Sequence, residues 1–448
     1  MTDTATIYAL SSAPGRAGVA VVRLSGPAAA EAVLALTGRE VPKPRTASLR
    51  RLKDADGAMI DEALVLWFEA PGSFTGEDVA ELHLHGGRAV LAALFARLSQ
   101  LPGLRMAEPG EFSRRAFEHG RFDLTEAEGL GDLINAETEA QRKQALRQMR
   151  GGLSDLYEGW RTRLTHALAH LEADIDFADE DLPEGVAAEV KPQLARLREE
   201  IAAHMADSRR GERLRDGLMV AILGAPNAGK SSLLNALAQR DAAIVSDIPG
   251  TTRDIIEVHL DLGGYPLILA DTAGLRDSAD RIEGEGVRRA LARAEAADLK
   301  IVLIDAADFV AGDIPAATRD LIDADALVVA SKCDITEVPE GEAVNDRDVY
   351  PVSVKSGAGL IAFLDALRAE VESRIGLTGS ATITRARHRT ALEDCVAALD
   401  RFLSGASNTA ELAAEDVRLA ARALGRITGR IDVEDLLDVI FRDFCIGK

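Results

Sequence analysis

The sequence predicts a multidomain α/β protein. Two observations support this prediction, the length of the chain and the pattern of its strands. With 448 residues, the chain is too long for one ordinary hydrophobic core. Short apolar runs alternate with helical patterns in its third quarter, as in a wound α/β sheet, at residues 218–223, 267–270, 300–304 and 326–330. We therefore expect one α/β domain over residues 216–375, with further domains on both sides.

The segments that flank this domain differ from it in pattern. Residues 1–121 combine β-rich runs at 18–24 and 64–68 with helical patterns, and predict an N-terminal α+β domain. Residues 122–215 and 376–448 are helical in pattern. Because an inserted domain is tolerated where its entry and exit lie close together, we expect these two stretches to form one discontinuous all-α helical domain.

Composition excludes several classes of protein. The formal net charge of −21 means that the surface as a whole repels nucleic acid and anionic membranes. Cys333, Cys395 and Cys445 are far apart, which argues against a disulfide framework or a structural zinc site. The N-terminus lacks a signal-peptide pattern, and no apolar run approaches the roughly 20 residues that span a bilayer. We expect a cytoplasmic protein with no membrane partner.

Residues 224–231 fit the phosphate-binding loop pattern, between an apolar strand and a helical run. The backbone N–H groups of such a loop converge on phosphates at a helix N-terminus, and its Lys supplies a point charge. The Ser hydroxyl ligates Mg²⁺, a role that falls to Ser231. We expect nucleotide contacts from Asn227, Ala228, Gly229, Lys230, Ser231 and Ser232.

Two later segments extend the predicted phosphate and magnesium site. Asp271 begins the motif Asp-Thr-Ala-Gly after a strand, and places a carboxylate near the magnesium shell. In the connection before it, Thr252 can reach Mg²⁺ only when the γ-phosphate is present. Taken alone, a Thr pair in a loop is usually a solvated turn. We expect contacts from Ser246, Asp247, Ile248, Pro249, Gly250, Thr251, Thr252, Asp271, Thr272, Ala273 and Gly274.

The choice of base depends on the tetrapeptide Ser331-Lys-Cys-Asp334. The Asp334 carboxylate can accept both the ring N–H and the exocyclic amine of guanine, whereas adenine offers no such pair of donors. The usual GTPase tetrapeptide begins with Asn, so Ser331 is expected to weaken a supporting hydrogen bond and loosens the guanine assignment. We favour GTP over ATP, bound in a Ras-like P-loop G domain, with base-side contacts from Ser331, Lys332, Asp334, Ser353, Val354 and Lys355.

Hydrolysis needs a group that orients water. Leu275 stands where many small GTPases place a water-orienting Gln, and leucine cannot polarise water. We therefore expect Glu283 to be catalytic and to orient or deprotonate the attacking water through an intermediate solvent molecule. A solvated loop carboxylate is the alternative explanation of Glu283.

The transferring phosphoryl group also needs positive charge nearby. The side-chain carbonyl of Asn227, with oxygens of Ser246, Ile248 and Thr251, is expected to hold a monovalent cation, K⁺, against the phosphates. Two arginines that follow, at positions 253 and 276, are the rival sources of this charge.

Four further signatures lie outside the nucleotide motifs. They are the opening Thr-Ile-Tyr-Ala-Leu at 6–10, Ser-Phe-Thr-Gly-Glu-Asp at 73–78, Pro-Gly-Glu-Phe-Ser at 109–113, and Cys-Ile-Gly-Lys at 445–448. Together with the nucleotide motifs, they make the chain resemble the MnmE (TrmE) family of tRNA modification GTPases over essentially its full length. The terminal tetrapeptide is the most specific, because ordinary GTPases have no reason to end in it.

The resemblance implies a folate-binding-like N-terminal domain that joins two chains in a homodimer. It implies that this domain binds 5-formyl- or methylene-tetrahydrofolate through Arg23, Glu81, Arg121 and Lys448. The family often has Lys at the position of Arg121, and Arg keeps the charge but changes the donor geometry. The helical domain would carry Cys445 towards the folate as a catalytic residue. A small buried apolar side chain is the alternative explanation of this cysteine.

The resemblance also implies a partner and a reaction. A potassium-dependent GTPase of this family works with the FAD-containing MnmG (GidA), in a heterotetramer or larger complex. Together they add an aminomethyl or carboxymethylaminomethyl group to C5 of the tRNA wobble uridine, using a tetrahydrofolate one-carbon unit. An Era-like regulatory GTPase in ribosome or RNA assembly is the alternative, and a folate-dependent one-carbon transferase that uses GTP only as a switch is a third.

Two groups of residues receive less specific expectations. His83 and His85 lie two apart on a predicted strand, and ordinary polar packing is favoured over a metal pair because no third ligand is evident. Basic runs at 141–150, 385–389 and 418–430 are the candidate tRNA contacts. Such runs are, however, more often solvated helix faces.

Overall fold

The computed structural model divides the chain into two compact units. The first unit comprises Met1–Gly131, Tyr157–Arg161 and Arg422–Lys448, and the second comprises Asp132–Leu156 and Thr162–Ala421. The structure describes residues 5–176, 186–206, 208–240, 243–244, 257–271, 297–339, 341–376, 382–405, 409–431, 434–442, 444 and 447.

The first unit is built on a sheet with strand order β3-β4-β5-β2-β1-β6, in which β1 and β6 are parallel and the other pairs antiparallel. Alternate residues of each strand share a face, so Val65 and Trp67 are buried whereas Leu64 is 44% exposed. The strands are β1 Thr6–Leu10, β2 Ala17–Ser25, β3 Ser48–Lys53, β4 Met59–Phe68, β5 Val79–Gly86 and β6 Leu104–Met106.

Helices α1 and α2 pack on one face of this sheet, and α3 packs on the other, where Phe112 shares a buried cluster with Ile7 and Ala9. Leu36 and Leu94 belong to the same buried core as the sheet residues. Gly110 has φ 68°, and a Cβ there would lie 2.2 Å from the carbonyl oxygen of Phe441, so only glycine permits this packing. The helices that lie wholly in this unit are α1 Ala29–Thr37, α2 Arg88–Leu98, α3 Glu111–Glu118 and α15 Glu434–Arg442.

The second unit contains the predicted wound sheet, with strand order β13-β14-β12-β11-β7-β10-β9-β8. Five neighbouring strands, β14, β12, β11, β7 and β10, are parallel, so their carboxyl ends meet at one edge. The strands are β7 Leu218–Gly224, β8 Ala243–Ile244, β9 Glu257–Leu262, β10 Tyr265–Asp271, β11 Leu299–Asp305, β12 Ala326–Ser331, β13 Ala343–Val344 and β14 Arg347–Val352.

Helices on both faces bury this sheet. Leu233 and Phe363 belong to the buried core on one face, and Ala306 belongs to the core on the other. The helices are α9 Lys230–Arg240, α10 Ala306–Ala311, α11 Ala316–Arg319 and α12 Leu360–Ile375.

The remaining helices lie before and after this sheet in the chain. Arg198, before the insertion, and Asp400, after it, form an ion pair with a distance of 2.8 Å between Nε and Oδ1, so helices from both sides of the insertion pack together. These helices are α4 Leu124–Asn135, α5 Glu139–Met149, α6 Gly152–Asp176, α7 Val186–Ala206, α8 Ser208–Asp216, α13 Ala386–Ser404 and α14 Ala410–Thr428.

The multidomain α/β fold with a discontinuous helical part is thus confirmed. The individual domain boundaries at 121, 215 and 375 stay predictions. Within the described ranges, every helix is too short or too polar to cross a bilayer.

A carboxylate ties together the two chain segments that enter and leave the wound sheet. Asp132 accepts from Arg215 Nε at 3.2 Å and from Arg385 Nη2 at 2.6 Å. Gln141, on α5, also donates to the main-chain oxygen of Arg215 at 3.0 Å. Since one segment precedes β7 and the other precedes α13, these contacts hold the entry and exit of the inserted domain close to each other.

Candidate nucleotide site

The phosphate-binding loop follows β7 at the carboxyl edge of the sheet. At Gly224, φ is 144° and a Cβ would lie 2.4 Å from the carbonyl oxygen of Leu303, so the loop leaves the sheet where only glycine fits. Asn227 (φ 64°) and Gly229 (φ 94°) then turn the backbone into α9. This strand, loop and helix order is the context that the motif predicts.

The side chain of Lys230 lies across its own loop. Its Nζ donates to the carbonyl oxygens of Gly224 at 3.0 Å and Ala225 at 2.8 Å. Ser231 and Ser232, in the first turn of α9, are exposed. The ammonium group therefore sits at the helix N-terminus, where backbone N–H groups and the helix dipole favour an anion.

The second predicted loop begins at the end of β12 and contacts the phosphate-binding loop. Ser331 is 7% exposed. Its Oγ donates to the carbonyl oxygen of Ala228 at 2.7 Å, and the carbonyl oxygen of Ile304 is a second acceptor at 3.2 Å. The residue after it, Lys332, has φ 61°. The loop that was predicted to read the base is thus joined directly to the loop that was predicted to hold the phosphates.

Asp334 and Lys332 each have a fixed partner. Ser353 is fully buried, and its hydroxyl donates to Asp334 Oδ1 at 2.7 Å. Lys332 Nζ lies 2.7 Å from Asp305 Oδ2 at the end of β11. This hydrogen bond from Lys332 lowers the pKa of the Asp305 carboxyl below its ordinary value.

Cys333, between these two residues, is half-buried and hydrogen-bonded. Burial raises the pKa of its Sγ group above the ordinary value. The thiol donates to the carbonyl oxygen of Ala330 at 3.1 Å. We therefore assign Cys333 to the packing of the loop.

Several predicted site residues lie outside the described part of the chain. Asp271 ends β10, beside Ile222 of β7, which brings its backbone to the same edge as the phosphate-binding loop. The residues outside the described ranges are Ser246, Asp247, Ile248, Pro249, Gly250, Thr251, Thr252, Thr272, Ala273, Gly274, Glu283, Cys445 and Lys448, together with the rival arginines Arg253 and Arg276.

Comparison with known families decides what kind of protein this is. A family model described as "MnmE helical domain" matches residues 124–445, and one described as "GTP-binding protein TrmE N-terminus" matches residues 6–121. The chain belongs to the MnmE (TrmE) family.

Relatives named "tRNA modification GTPase MnmE" match along their whole length. The one from Parvibaculum lavamentivorans is 60% identical over 447 residues, which covers 99% of this chain and 100% of the relative. The one from Paramagnetospirillum magneticum is 58% identical over 443 residues, which covers 99% of each. The one from Rhodospirillum rubrum is 56% identical over 460 residues, again 99% of each.

Two of the residues that the MnmE resemblance assigned to folate lie side by side in the first unit. Arg23 on β2 is paired in register with Glu81 on β5, and Arg23 Nη2 lies 3.0 Å from Glu81 Oε1. The Arg23 guanidinium also lies over the rings of Phe74 and Phe112, at 5.1 and 5.7 Å from their centroids. The third residue, Arg121, is exposed, and its side chain passes beside Gly76.

One residue of the C-terminal MnmE tetrapeptide is described, and it contacts the same sheet. The carbonyl oxygen of Gly447 accepts from Ser11 Oγ at 2.8 Å. A Cβ on Gly447, where φ is 97°, would lie 2.1 Å from the carbonyl oxygen of Leu10. Because Leu10 ends β1, which pairs with β2, Gly447 lies at the end of the sheet that carries Arg23.

A cavity of about 870 Å³ also lies in the first unit, between α3 and α15. Its walls carry paired charges such as Arg105 with Glu111 and Arg114 with Asp438. Among the described residues, Arg23, Glu81 and Arg121 do not line it. The candidate folate position is the strand pair rather than this cavity, because the three predicted folate residues that the structure describes lie outside its lining.

The two histidines and several cations of the basic runs lie beside carboxylates. His83 Nε2 lies 3.3 Å from Glu81 Oε2, and His85 Nδ1 lies 2.9 Å from Asp61 Oδ1. In the described ranges, no group of three potential ligands is placed to hold a metal ion. Many cations of the basic runs are paired with carboxylates: Arg142 with Glu139, Arg385 with Asp132, Arg389 with Glu212, and Arg418 with Glu172.

Sequence reasoning did not identify one contributor to the site, Asp305, or one contact at the opposite edge of the same sheet. Asp305 holds Lys332, and its only sequence signal is its position directly after an apolar strand. The N–H group of Ala140, on α5, donates to the carbonyl oxygen of Gly264 at 3.0 Å. Gly264 lies in the turn between β9 and β10, and the sequence offers no signal for a contact between segments so far apart.

Proposed function

We propose that this GTP hydrolase of tRNA modification acts on the wobble uridine, and that the phosphate-binding and base-reading loops form its GTP site. The family supplies the tRNA modification GTPase assignment. One observation supports the position of the site most strongly, the hydrogen bond from Ser331 in one loop to Ala228 in the other. It joins the predicted phosphate and base contacts at a single sheet edge.

The proposed phosphate side of the site uses two cations. Ser231 and Thr252 would hold Mg²⁺, with Asp271 near its outer shell. Asn227, with oxygens of Ser246, Ile248 and Thr251, would hold K⁺. Support comes from Asn227, whose side chain is exposed in the loop, and from its φ of 64°, a conformation that Asn tolerates better than most residues.

The proposed hydrolysis step is attack of water on the γ-phosphate. Glu283 would orient or deprotonate this water through a second solvent molecule. Lys230 and the two metal ions would neutralise the charge that develops on the phosphoryl oxygens. The side-chain carbonyl of Asn227 has no proton to transfer, so it would act only by holding the cation in position.

The proposed folate site lies in the first unit. Arg23, Glu81, Arg121 and Lys448 would bind 5-formyl- or methylene-tetrahydrofolate, and Cys445 would approach it as a catalytic residue. The contact between Ser11 and Gly447 supports this arrangement, because Gly447 immediately precedes Lys448 in the chain.

The proposed assembly is a homodimer through the N-terminal domain. Leu49 and Leu64 are partners in register on β3 and β4, and they are 63% and 44% exposed. Large apolar side chains that are exposed together often mark an interface. A second chain that covers this face would remove both from water.

The proposed partners are tRNA and the FAD-containing MnmG (GidA), in a heterotetramer or larger complex in the cytoplasm. The net charge of −21 and the paired arginines predict modest and salt-sensitive tRNA affinity, with MnmG supplying much of the binding. The product would carry an aminomethyl or carboxymethylaminomethyl group at C5 of the wobble uridine. An Era-like assembly GTPase is disfavoured, because the family match includes the N-terminal domain.

GTP turnover in potassium and sodium salts tests this proposal. Turnover should be faster in potassium than in sodium, with and without MnmG. Wobble uridine of tRNA from a strain that lacks the gene should also lose its modification, and the gene should restore it. Equal turnover in both salts would refute the K⁺ site, and unchanged tRNA would refute the modification role.

A further inference from the structure

Ser331 bridges two strand ends that are not neighbours in the sheet. β11 lies between β12, which carries Ser331, and β7, which leads into the phosphate-binding loop. The Ser331 hydroxyl nevertheless donates to the carbonyl oxygen of Ala228 at 2.7 Å. Both residues are buried, at 7% and 2% exposure, so water does not compete for this bond.

The bond fixes the direction of a phosphate-binding N–H group. The Ala228–Gly229 peptide is trans and planar, so its C=O and N–H groups point in opposite directions. When Ser331 holds the Ala228 carbonyl, the Gly229 N–H is directed away from Ser331. Its orientation then suits the phosphates that the loop is predicted to bind.

The same bond uses the only hydrogen that Ser331 can donate. A serine hydroxyl has one O–H donor, whereas an asparagine amide has two N–H donors and a carbonyl acceptor. An Asn at this position could bond to the phosphate-binding loop and still donate to N7 of guanine, which is an acceptor. Ser331 cannot do both at once.

We infer that Ser331 is a positioning residue that fastens the base-reading loop to the phosphate-binding loop and leaves N7 of the guanine base unread. Base choice then depends on the other edge of the ring, which Asp334 reads. The inference rests on the proposed binding of GTP at these loops.

The contacts of Asp334 and Lys332 make this division of roles possible. Ser353 holds the Asp334 carboxylate at 2.7 Å, and Asp305 holds the Lys332 ammonium at 2.7 Å. Neither contact involves the Ser331 side chain. Loss of the Ser331 hydroxyl should therefore weaken the phosphate-binding loop without disturbing the carboxylate that selects guanine.

Nucleotide analogues test both halves of the inference. The dissociation constants of GDP, 7-deaza-GDP and IDP are measured by calorimetry with Mg²⁺ and potassium, for the full chain and its variants. The analogue 7-deaza-GDP lacks only the N7 acceptor, and IDP lacks the exocyclic amine that Asp334 would bind. The unaltered chain should bind GDP and 7-deaza-GDP within about twofold of each other and IDP at least about tenfold more weakly.

Two variants separate positioning from base contact. Ser331→Ala should weaken GDP and 7-deaza-GDP equally, by about three- to tenfold, because it removes one buried hydrogen bond. Ser331→Asn should gain a preference for GDP over 7-deaza-GDP of about three- to tenfold. Ser373→Ala removes an exposed hydroxyl on α12 and should change neither affinity.

Each contrary result has a distinct meaning. If the unaltered chain binds GDP about tenfold more tightly than 7-deaza-GDP, then N7 is read, and the inference is overturned without any variant. Unchanged affinities in Ser331→Ala would remove the positioning role, and no gained preference in Ser331→Asn would remove the N7 argument. Equal binding of GDP and IDP, or of GDP and ADP, would instead refute guanine recognition by Asp334 and hence the proposed function.

Discussion

Lys332 and Asp334 are each held by a side chain from another part of the sheet, Asp305 for the ammonium group and Ser353 for the carboxylate. Their spacing in Ser331-Lys-Cys-Asp334 predicted a base-reading loop after a strand, and the structure places that loop beside the phosphate-binding loop. The pattern did not reveal Asp305, because the carboxylate that holds Lys332 comes from a different strand. Chemistry within one loop is local and can be predicted, whereas partners across strands depend on the sheet order.

The pair of Asp305 and Lys332 predicts a pH-dependent contribution to stability. The pKa of Asp305 is lowered from 3.8, so its contribution to the free energy of unfolding is present above the unfolded value and lost as pH falls through the lower folded value. Asp305→Asn keeps the acceptor for the Ala307 N–H group but removes the charge. Its melting temperature should lie below that of the unaltered chain near neutral pH, and the gap should narrow as pH falls below 3.8.

Melting temperatures measured from about pH 3 to pH 7 check this expectation. The difference between the two proteins, rather than either curve alone, isolates Asp305 from the other carboxylates. A gap that stays constant across this range would show that the charge on Asp305 contributes nothing.

At the scale of elements, the strands were predicted best where apolar runs are continuous. The run at 326–330 became β12 Ala326–Ser331, whereas the run at 64–68 is only the second half of β4 Met59–Phe68. The first half contains Asp61 and Glu62, which pair with His85 and Arg51. Because these residues interrupt the apolar run, the sequence pattern does not predict a strand there.

The β9 strand was also missed, although a signal for it exists. Val258, Leu260 and Leu262 alternate with polar residues and lead into the pair Gly263-Gly264, a favoured two-residue hairpin turn. The docking of α5 against this turn, through Ala140, had no such signal. It depends on where the helical stretches pack, which local patterns do not specify.

The carboxylate of Asp132 is expected to stabilise the contact between the segments that enter and leave the inserted domain. Its side chain is 15% exposed and accepts from both Arg215 and Arg385. Asp132→Asn keeps the volume but loses the charge, and should lower the free energy of unfolding by about 1–3 kcal/mol. Urea denaturation of the full chain, followed by far-UV circular dichroism, measures this loss.

Glu139→Gln is the matched control for that variant. Glu139 also pairs with an arginine, Arg142, but both side chains are 49% exposed, and exposed pairs contribute little. The control should unfold like the unaltered chain. Equal free energies of unfolding for Asp132→Asn and Glu139→Gln would mean that the contacts of Asp132 do not stabilise the fold more than an exposed ion pair does.

At the scale of the whole molecule, the proposed homodimer predicts that the sheet face with Leu49 and Leu64 is an interface between two copies of the chain. Leu64→Glu would place a charge among apolar side chains that a second copy is proposed to cover, and burying an unpaired charge is costly. The variant should be largely monomeric at concentrations where the unaltered chain is dimeric. Sedimentation equilibrium measures both.

Leu412→Glu controls for the added charge. Leu412, on α14, is 55% exposed and belongs to the second unit, so its replacement should leave a dimer intact. A Leu64→Glu variant that remains dimeric would place the interface elsewhere on the molecule.

The most direct test of guanine recognition is the base preference of Asp334→Asn. Guanine offers two donors to a carboxylate, whereas xanthine offers one donor and one carbonyl acceptor, which match the two groups of an asparagine amide. Dissociation constants for GDP and XDP should show the unaltered chain preferring GDP and Asp334→Asn preferring XDP. If the variant keeps its preference for GDP, then Asp334 does not read the base.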